Sequence, residues 1–279
     1  METPTISFLL KKKANLPDLT SFRYLLSVPP TYSEDNSKHW PLLLFLHGSG
    51  ESGDDIELIK NHGVPRLVQV YENLKNGKLS KDDLITENPK TEVLQEKDSS
   101  HKPVMPINLE CAKTVAENFI TLSPQVDPMM FGSGWDSQSL GLLIDQIEKD
   151  YRVDKERIYV TGLSMGGFGA FYLAASFPER FAAILPICGG MDVKQVHFIK
   201  DVPMWIFHGK KDQIVNIKQS QKIVRALEEM GRKVEFTIYE NADHDSWTET
   251  YNNPEIYQWL LRHKKSNDQS SLNKHESKL

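Results

Sequence analysis

Ser164 lies in Gly162-Leu163-Ser164-Met165-Gly166, a G-x-S-x-G pattern between the strand-like run RIYVTG and the helix-like run MGGFGAFYLAAS. A strand–turn–helix setting of this kind is what a nucleophile elbow requires. Its glycines permit a turn too tight for side chains, and the following helix aims its first N–H groups at the serine. A serine hydroxyl also needs a base, and the base needs a carboxylate to orient it. Of the nine histidines, His39, His101, His263 and His275 fall in polar or terminal segments, and His62 and His197 have structural surroundings. His47 and His208 each end a strand-like run and precede a glycine, which suits packing or turn roles. His244 differs, because it sits in the polar loop Asn241-Ala242-Asp243-His244-Asp245-Ser246-Trp247 directly after the last strand-like run. Parallel sheets place their working groups in such loops. Asp212, in the loop after PMWIFH, is the expected acid, with Asp192 the main rival and Asp243 and Asp245 weaker ones.

A second glycine-rich loop reads Leu46-His47-Gly48-Ser49-Gly50-Glu51-Ser52-Gly53. By itself it spells G-x-G-x-x-G after a strand, with Glu72 about 20 residues on, the signature of a dinucleotide site. Against that, the strand is the third in the chain, and Asp54-Asp55 would repel a pyrophosphate. The favoured expectation is a loop whose backbone N–H joins that of Met165 in an oxyanion hole.

Eight strand-like runs position these residues: 5–10, 20–28, 41–47, 118–123, 157–162, 181–187, 203–208 and 233–239. Helical periodicity marks 138–150, 165–177, 217–230 and 254–264. Alternating strands and helices predict an α/β fold, a mostly parallel sheet of about eight strands with helices on both faces. Residues 1–264 are expected to form one domain. A long polar insertion over 76–113, with only weak helical hints, interrupts it, and a polar tail follows at 265–279.

Composition narrows the functions. The 279 residues carry 33 Lys+Arg and 38 Asp+Glu, a net charge of −5, which offers no pull toward nucleic acid or an anionic membrane. No apolar run nears the ~20 residues that span a bilayer. The Lys11-Lys12-Lys13 cluster follows the apolar ISFLL, the reverse of a secretory leader, so a cytoplasmic location is expected. Two cysteines, Cys111 and Cys188, are too few for a disulfide framework or a zinc cage. No metal or cofactor is expected.

Together the stretches LFLHGSGESGDD, HGVPRLV, ITLSPQ, RIYVTGLSMGGFGAF, FPERFAAILPICGG, PMWIFHGKKD and NADHDSWTETY resemble the α/β-hydrolases. The resemblance is to the esterases and peptidases related to polyhydroxybutyrate depolymerases, feruloyl esterases and carboxylesterases. It implies Ser164 as nucleophile, Asp212 as acid and His244 as base. Ser49 and Met165 would supply the oxyanion N–H groups, with Gly48 an alternative to Ser49, and Trp135 and Trp247 would line the pocket or pack the core. The expected activity is a serine esterase that cleaves a small carboxylic ester through an acyl-enzyme. The alternatives are a thioesterase or peptidase with the same triad, or a non-catalytic binding protein of the same fold. Oligomeric state is left open.

Overall fold

Branched and aromatic residues dominate Trp40–Leu46, residues 158–163 of the strand Val153–Leu163, and Ala183–Ile187, and these stretches are buried on both faces, as a parallel sheet covered on both sides demands. The computed structural model describes residues 9–13, 22–79, 107–128 and 134–265. Its strands are β1 (Leu9–Lys13), β2 (Arg23–Ser27), β3 (Trp40–Leu46), β4 (Ile120–Gln125), β5 (Val153–Leu163), β6 (Ala183–Ile187), β7 (Trp205–Gly209) and β8 (Glu235–Tyr239). They form one eight-stranded sheet in the order β1-β2-β4-β3-β5-β6-β7-β8. β1 and β2 pair antiparallel, as do β2 and β4, and every other pair is parallel. The expected α/β architecture is therefore present.

Strand alternation splits the core in two. Leu42, Leu44, Leu46, Ile158 and Val160 point to one face and Leu43, Phe45 and Tyr159 to the other. The first face is covered by α3 (Ser137–Asp150), α4 (Met165–Ser176) and α5 (Lys218–Glu229). The second is covered by α1 (Gly63–Lys75), α2 (Leu109–Asn118) and α7 (Pro254–Arg262), and the short α6 (Trp247–Tyr251) lies on the same side. Because β3, β5, β7 and β8 run parallel, the segments after Leu46, Leu163, Gly209 and Tyr239 all emerge at one sheet edge. That edge collects the four loops singled out by their chemistry.

Several boundaries move. The first strand is Leu9–Lys13 and includes three lysines. An edge strand with one open side tolerates charges that would be costly at the centre. The last residues of the 76–113 segment, expected as a polar insertion with only weak helical hints, begin α2, with Asn108 capping it through a hydrogen bond from the Glu110 N–H. Ile107 is buried and Leu109 packs against the second core face. Residues 80–106, residues 5–8 of the first expected strand, and 266–279 of the expected tail lie outside the described residues.

Phe45 fills the second core face, 1% exposed, with its ring edge-on to Tyr251 at 5.8 Å. Phe45→Ala should cost about 3–5 kcal/mol, the usual loss for emptying a buried aromatic site. Equilibrium denaturation measures it, and a loss under ~1 kcal/mol would show that this layer is not tightly packed.

Candidate active site

The turn after β5 is possible only because its flanking residues lack side chains. A Cβ on Gly166 would lie 1.9 Å from the Leu46 carbonyl oxygen, and one on Gly162 would lie 2.3 Å from the Gly166 carbonyl oxygen. The backbone therefore doubles back tightly on β3 and forces Ser164 to φ 52° and ψ −117°, a conformation that L-residues rarely adopt. The Ser164 N–H is held by the Ile187 carbonyl at 3.0 Å and also reaches Cys188 Sγ at 3.3 Å.

His244 joins this turn to the β7 loop. Its Nδ1 lies 2.8 Å from Asp212 Oδ2 and its Nε2 lies 2.9 Å from Ser164 Oγ. A carboxylate only accepts, so the proton of the neutral ring sits on Nδ1, and Nε2 is the acceptor for the serine hydroxyl. Asp212 is buried, and its oxygens are well supplied with donors. Oδ1 accepts the N–H groups of Ile214 and Val215, each at 2.9 Å. Oδ2 lies also 3.3 Å from His208 Nε2. His208 Nε2 donates to the Val215 carbonyl at 2.8 Å, its Nδ1 meets Ser220 Oγ at 2.8 Å, and burial lowers its pKa and keeps it neutral. The rival Asp192 instead caps a short 3-10 turn, accepting the Lys194 N–H at 3.0 Å. Asp243 and Asp245 are not the groups bonded to the His244 ring.

The glycine-rich loop comes to the same edge. Its His47 is buried, with Nδ1 2.6 Å from the Gly48 carbonyl and Nε2 accepting the Val126 N–H at 3.0 Å. Burial lowers its pKa to about 4, so this ring is a neutral strut between β3 and β4. The Gly48 N–H is already taken by Glu51 Oε2 at 2.9 Å. Ser49 and Met165 are the first residues of a 3-10 turn and of α4, where N–H groups have no partner within their own helix. Trp135 donates from Nε1 to the His47 carbonyl at 3.3 Å, and Trp247 lies edge-on to the His244 ring at 5.3 Å. Both tryptophans thus touch the loops of the site.

Cys188 is the residue that sequence reasoning passed over. Its place immediately after β6, at the working edge of the sheet, was the available signal. Its Sγ, an Asp212 carboxylate oxygen and a His244 ring nitrogen lie within 4.8 Å of one another, a Cys–Asp–His cluster. The thiol is fully buried, and burial raises its pKa to about 12, as it does for Cys111. Below that pH both stay protonated, and the thiol is a far weaker nucleophile than the thiolate. With a disulfide reagent such as DTNB at pH 8, neither of the two thiols should react in the native protein, and both should react in guanidinium. Rapid native labelling of Cys188 would show a thiolate accessible at the site.

Comparison with known proteins widens the picture. A family model described as Phospholipase/Carboxylesterase matches residues 136–255. The bifunctional acetylxylan esterase/xylanase XynS20E of Neocallimastix patriciarum is 28% identical over 39% of this chain and 17% of its own length. Acyl-protein thioesterase 1 homolog 2 of Dictyostelium discoideum is 28% identical over 39% of this chain and 53% of its own. The chain thus spans a sixth to a half of these two relatives. A thermostable esterase superposes with TM-score 0.69 at 29% identity, covering 94% of this chain and 64% of that one. A Klebsiella pneumoniae protein classed as a dienelactone hydrolase shares the fold, with TM-score 0.55 at 12% identity over 91% and 99% of the two chains.

These findings correct the expected activity. A serine esterase specific for carboxylic esters supposes one reactive side chain beside the Asp–His pair and one leaving group. The site holds a Cys–Asp–His cluster as well, a set of residue types that itself serves hydrolysis. The relatives include proteins named for thioesters as well as esters. The narrower reading is therefore withdrawn. The chain has the esterase- and peptidase-like fold of the α/β-hydrolase superfamily, the fold it shares with a thermostable esterase, a ferulic acid esterase, acylaminoacyl peptidases and a dienelactone hydrolase, and part of it is similar in sequence to a poly(3-hydroxyalkanoate) depolymerase.

Proposed function

We propose that the chain is an acyl hydrolase of the thioesterase type, acting on a small soluble acyl thioester through Ser164, His244 and Asp212. The observation that carries this reading is the pair of contacts made by His244, 2.9 Å to Ser164 Oγ and 2.8 Å to Asp212 Oδ2. The likeness to acyl-protein thioesterases supports the choice of leaving group. In this scheme Ser164 Oγ attacks the carbonyl carbon while His244 Nε2 takes its proton. The N–H groups of Met165 and Ser49 hold the tetrahedral oxyanion. Collapse breaks the carbon–sulfur bond, His244 protonates the leaving thiolate, and water releases the acyl group by the same route. Asp212 holds the Nδ1 tautomer and stabilises the imidazolium.

The Cys–Asp–His cluster supports a second reading, with Cys188 as the nucleophile. Its burial, its raised pKa and its N–H···S contact from Ser164 suit a packing role better. Single variants separate the two. Against a short-chain acyl thioester, Ser164→Ala should lower kcat by about 10⁴–10⁶, and Cys188→Ala should retain most of it. The opposite ranking would transfer the role to Cys188, and an unmodified protein that cleaves no thioester would end the thioesterase reading.

Asp212→Asn gives a second test. The amide oxygen can still accept from Ile214 and Val215, which leaves the NH2 group facing His244 Nδ1. The ring must then carry its proton on Nε2, pointed at the serine, and kcat should fall about 10⁴-fold near neutral pH. Asp192→Asn should change little, and an equal loss in both would show that the β7 loop does not supply the acid.

A further inference from the structure

We infer that Glu51 is a positioning residue for the acyl-transfer reaction, holding the glycine-rich loop in the conformation that presents the Ser49 N–H. The inference rests on the thioesterase reading of the same site. Glu51 is 8% exposed, although it stands at a loop rather than in the core. Burying a carboxylate is costly unless its oxygens are occupied by donors. Here Oε2 accepts the Gly48 N–H at 2.9 Å, and the Glu51 N–H returns to the Gly48 carbonyl at 3.3 Å. This closes a reciprocal box around the residue before Ser49. Oε1 lies 3.7 Å from Nε2 of His62. The Glu51 carbonyl accepts from Nε2 of the buried Gln125 at 2.9 Å, which ties the loop to the end of β4.

The loop has little room to move while the box is closed. A Cβ on Gly48 would meet Leu163 Cδ1 at 2.7 Å, so the loop lies hard against the residue preceding Ser164. His47 fixes the other side of Gly48 through its carbonyl. Removing the Glu51 carboxylate frees the Gly48 N–H, a buried donor that must find another acceptor. The loop can supply one only by turning its peptide units, and the Ser49 N–H belongs to the next unit along. A displaced oxyanion donor weakens stabilisation of the transition state, while the resting substrate makes little use of it.

The test compares Glu51→Ala, Glu51→Gln and Glu51→Asp with the unmodified protein on a short-chain acyl thioester, with p-nitrophenyl acetate as a second substrate. Losing one oxyanion donor outright costs about 10²–10³ in kcat, so a displaced donor should cost about 10–100-fold. Glu51→Ala should show that loss in kcat with KM within about threefold, and its thermal midpoint, measured in parallel, corrects for any unfolded fraction. Glu51→Gln keeps an oxygen to accept the Gly48 N–H and should recover most of the rate. Glu51→Asp, one methylene short, should resemble Glu51→Ala, and the Gln–Asp pair carries the comparison if the alanine variant does not fold. Unchanged kcat per folded molecule, a loss confined to KM, or equal rates for the Gln and Asp variants would overturn the positioning role. Turnover of the unmodified protein decides the thioesterase reading separately, since the Glu51 result is a ratio that p-nitrophenyl acetate also reports.

Discussion

The site depends on one close approach. The Leu46 carbonyl at the end of β3 faces the Gly166 backbone with no room for a side chain between them. Bringing the two chains together at that distance sets the depth of the turn after β5 and holds Ser164 at positive φ. It also places the start of the glycine-rich loop, which leaves β3 one residue later, beside the first turn of α4. Ser164 and the N–H groups of Ser49 and Met165 are therefore positioned by one backbone contact. A methyl group at Gly166 would separate both at once.

The other half of the site is rigid for a different reason. Asp212 is buried, yet two backbone N–H groups, the His244 ring and His208 surround its oxygens. A carboxylate so supplied with donors is fixed in the orientation that His244 needs. His208 and Ser220 brace it from below, and both are buried polar side chains with hydrogen-bonding partners. Two neutral, buried histidines thus serve as struts, His47 between β3 and β4 and His208 beneath the Asp212 that meets the partly exposed His244.

Cys188 shows how a residue can enter the site without being recognisable from its type. Its sulfur packs behind Ser164, accepts part of the Ser164 N–H, and shares a cluster with Asp212 and His244. Proximity alone makes it a candidate for chemistry. Burial, which holds the thiol protonated, weighs on the other side.

The sequence by itself determined the period of the elements and the identity of the tight turns. The eight expected strands are present, the central ones because strands buried on both faces need continuous branched and aromatic residues. The glycine spacing around Ser164 named the turn, because no other residue fits there. The residue types at the strand ends also singled out Asp212 and His244 before any distance was known. Helix α2 and the lysine-bearing β1 were less legible, since each owes its form to neighbours that cover one side and leave the other to water. Tertiary structure alone decided that Glu51 turns inward to hold Gly48 and that Cys188 stands behind the serine, and it closed the contest between Asp212 and Asp192 in favour of the residue the strand ends had singled out. Those residues are far apart in the chain or aimed by loop conformation, and hydrogen bonds of about 3 Å depend on where the packed sheet puts each strand end, which no local pattern encodes.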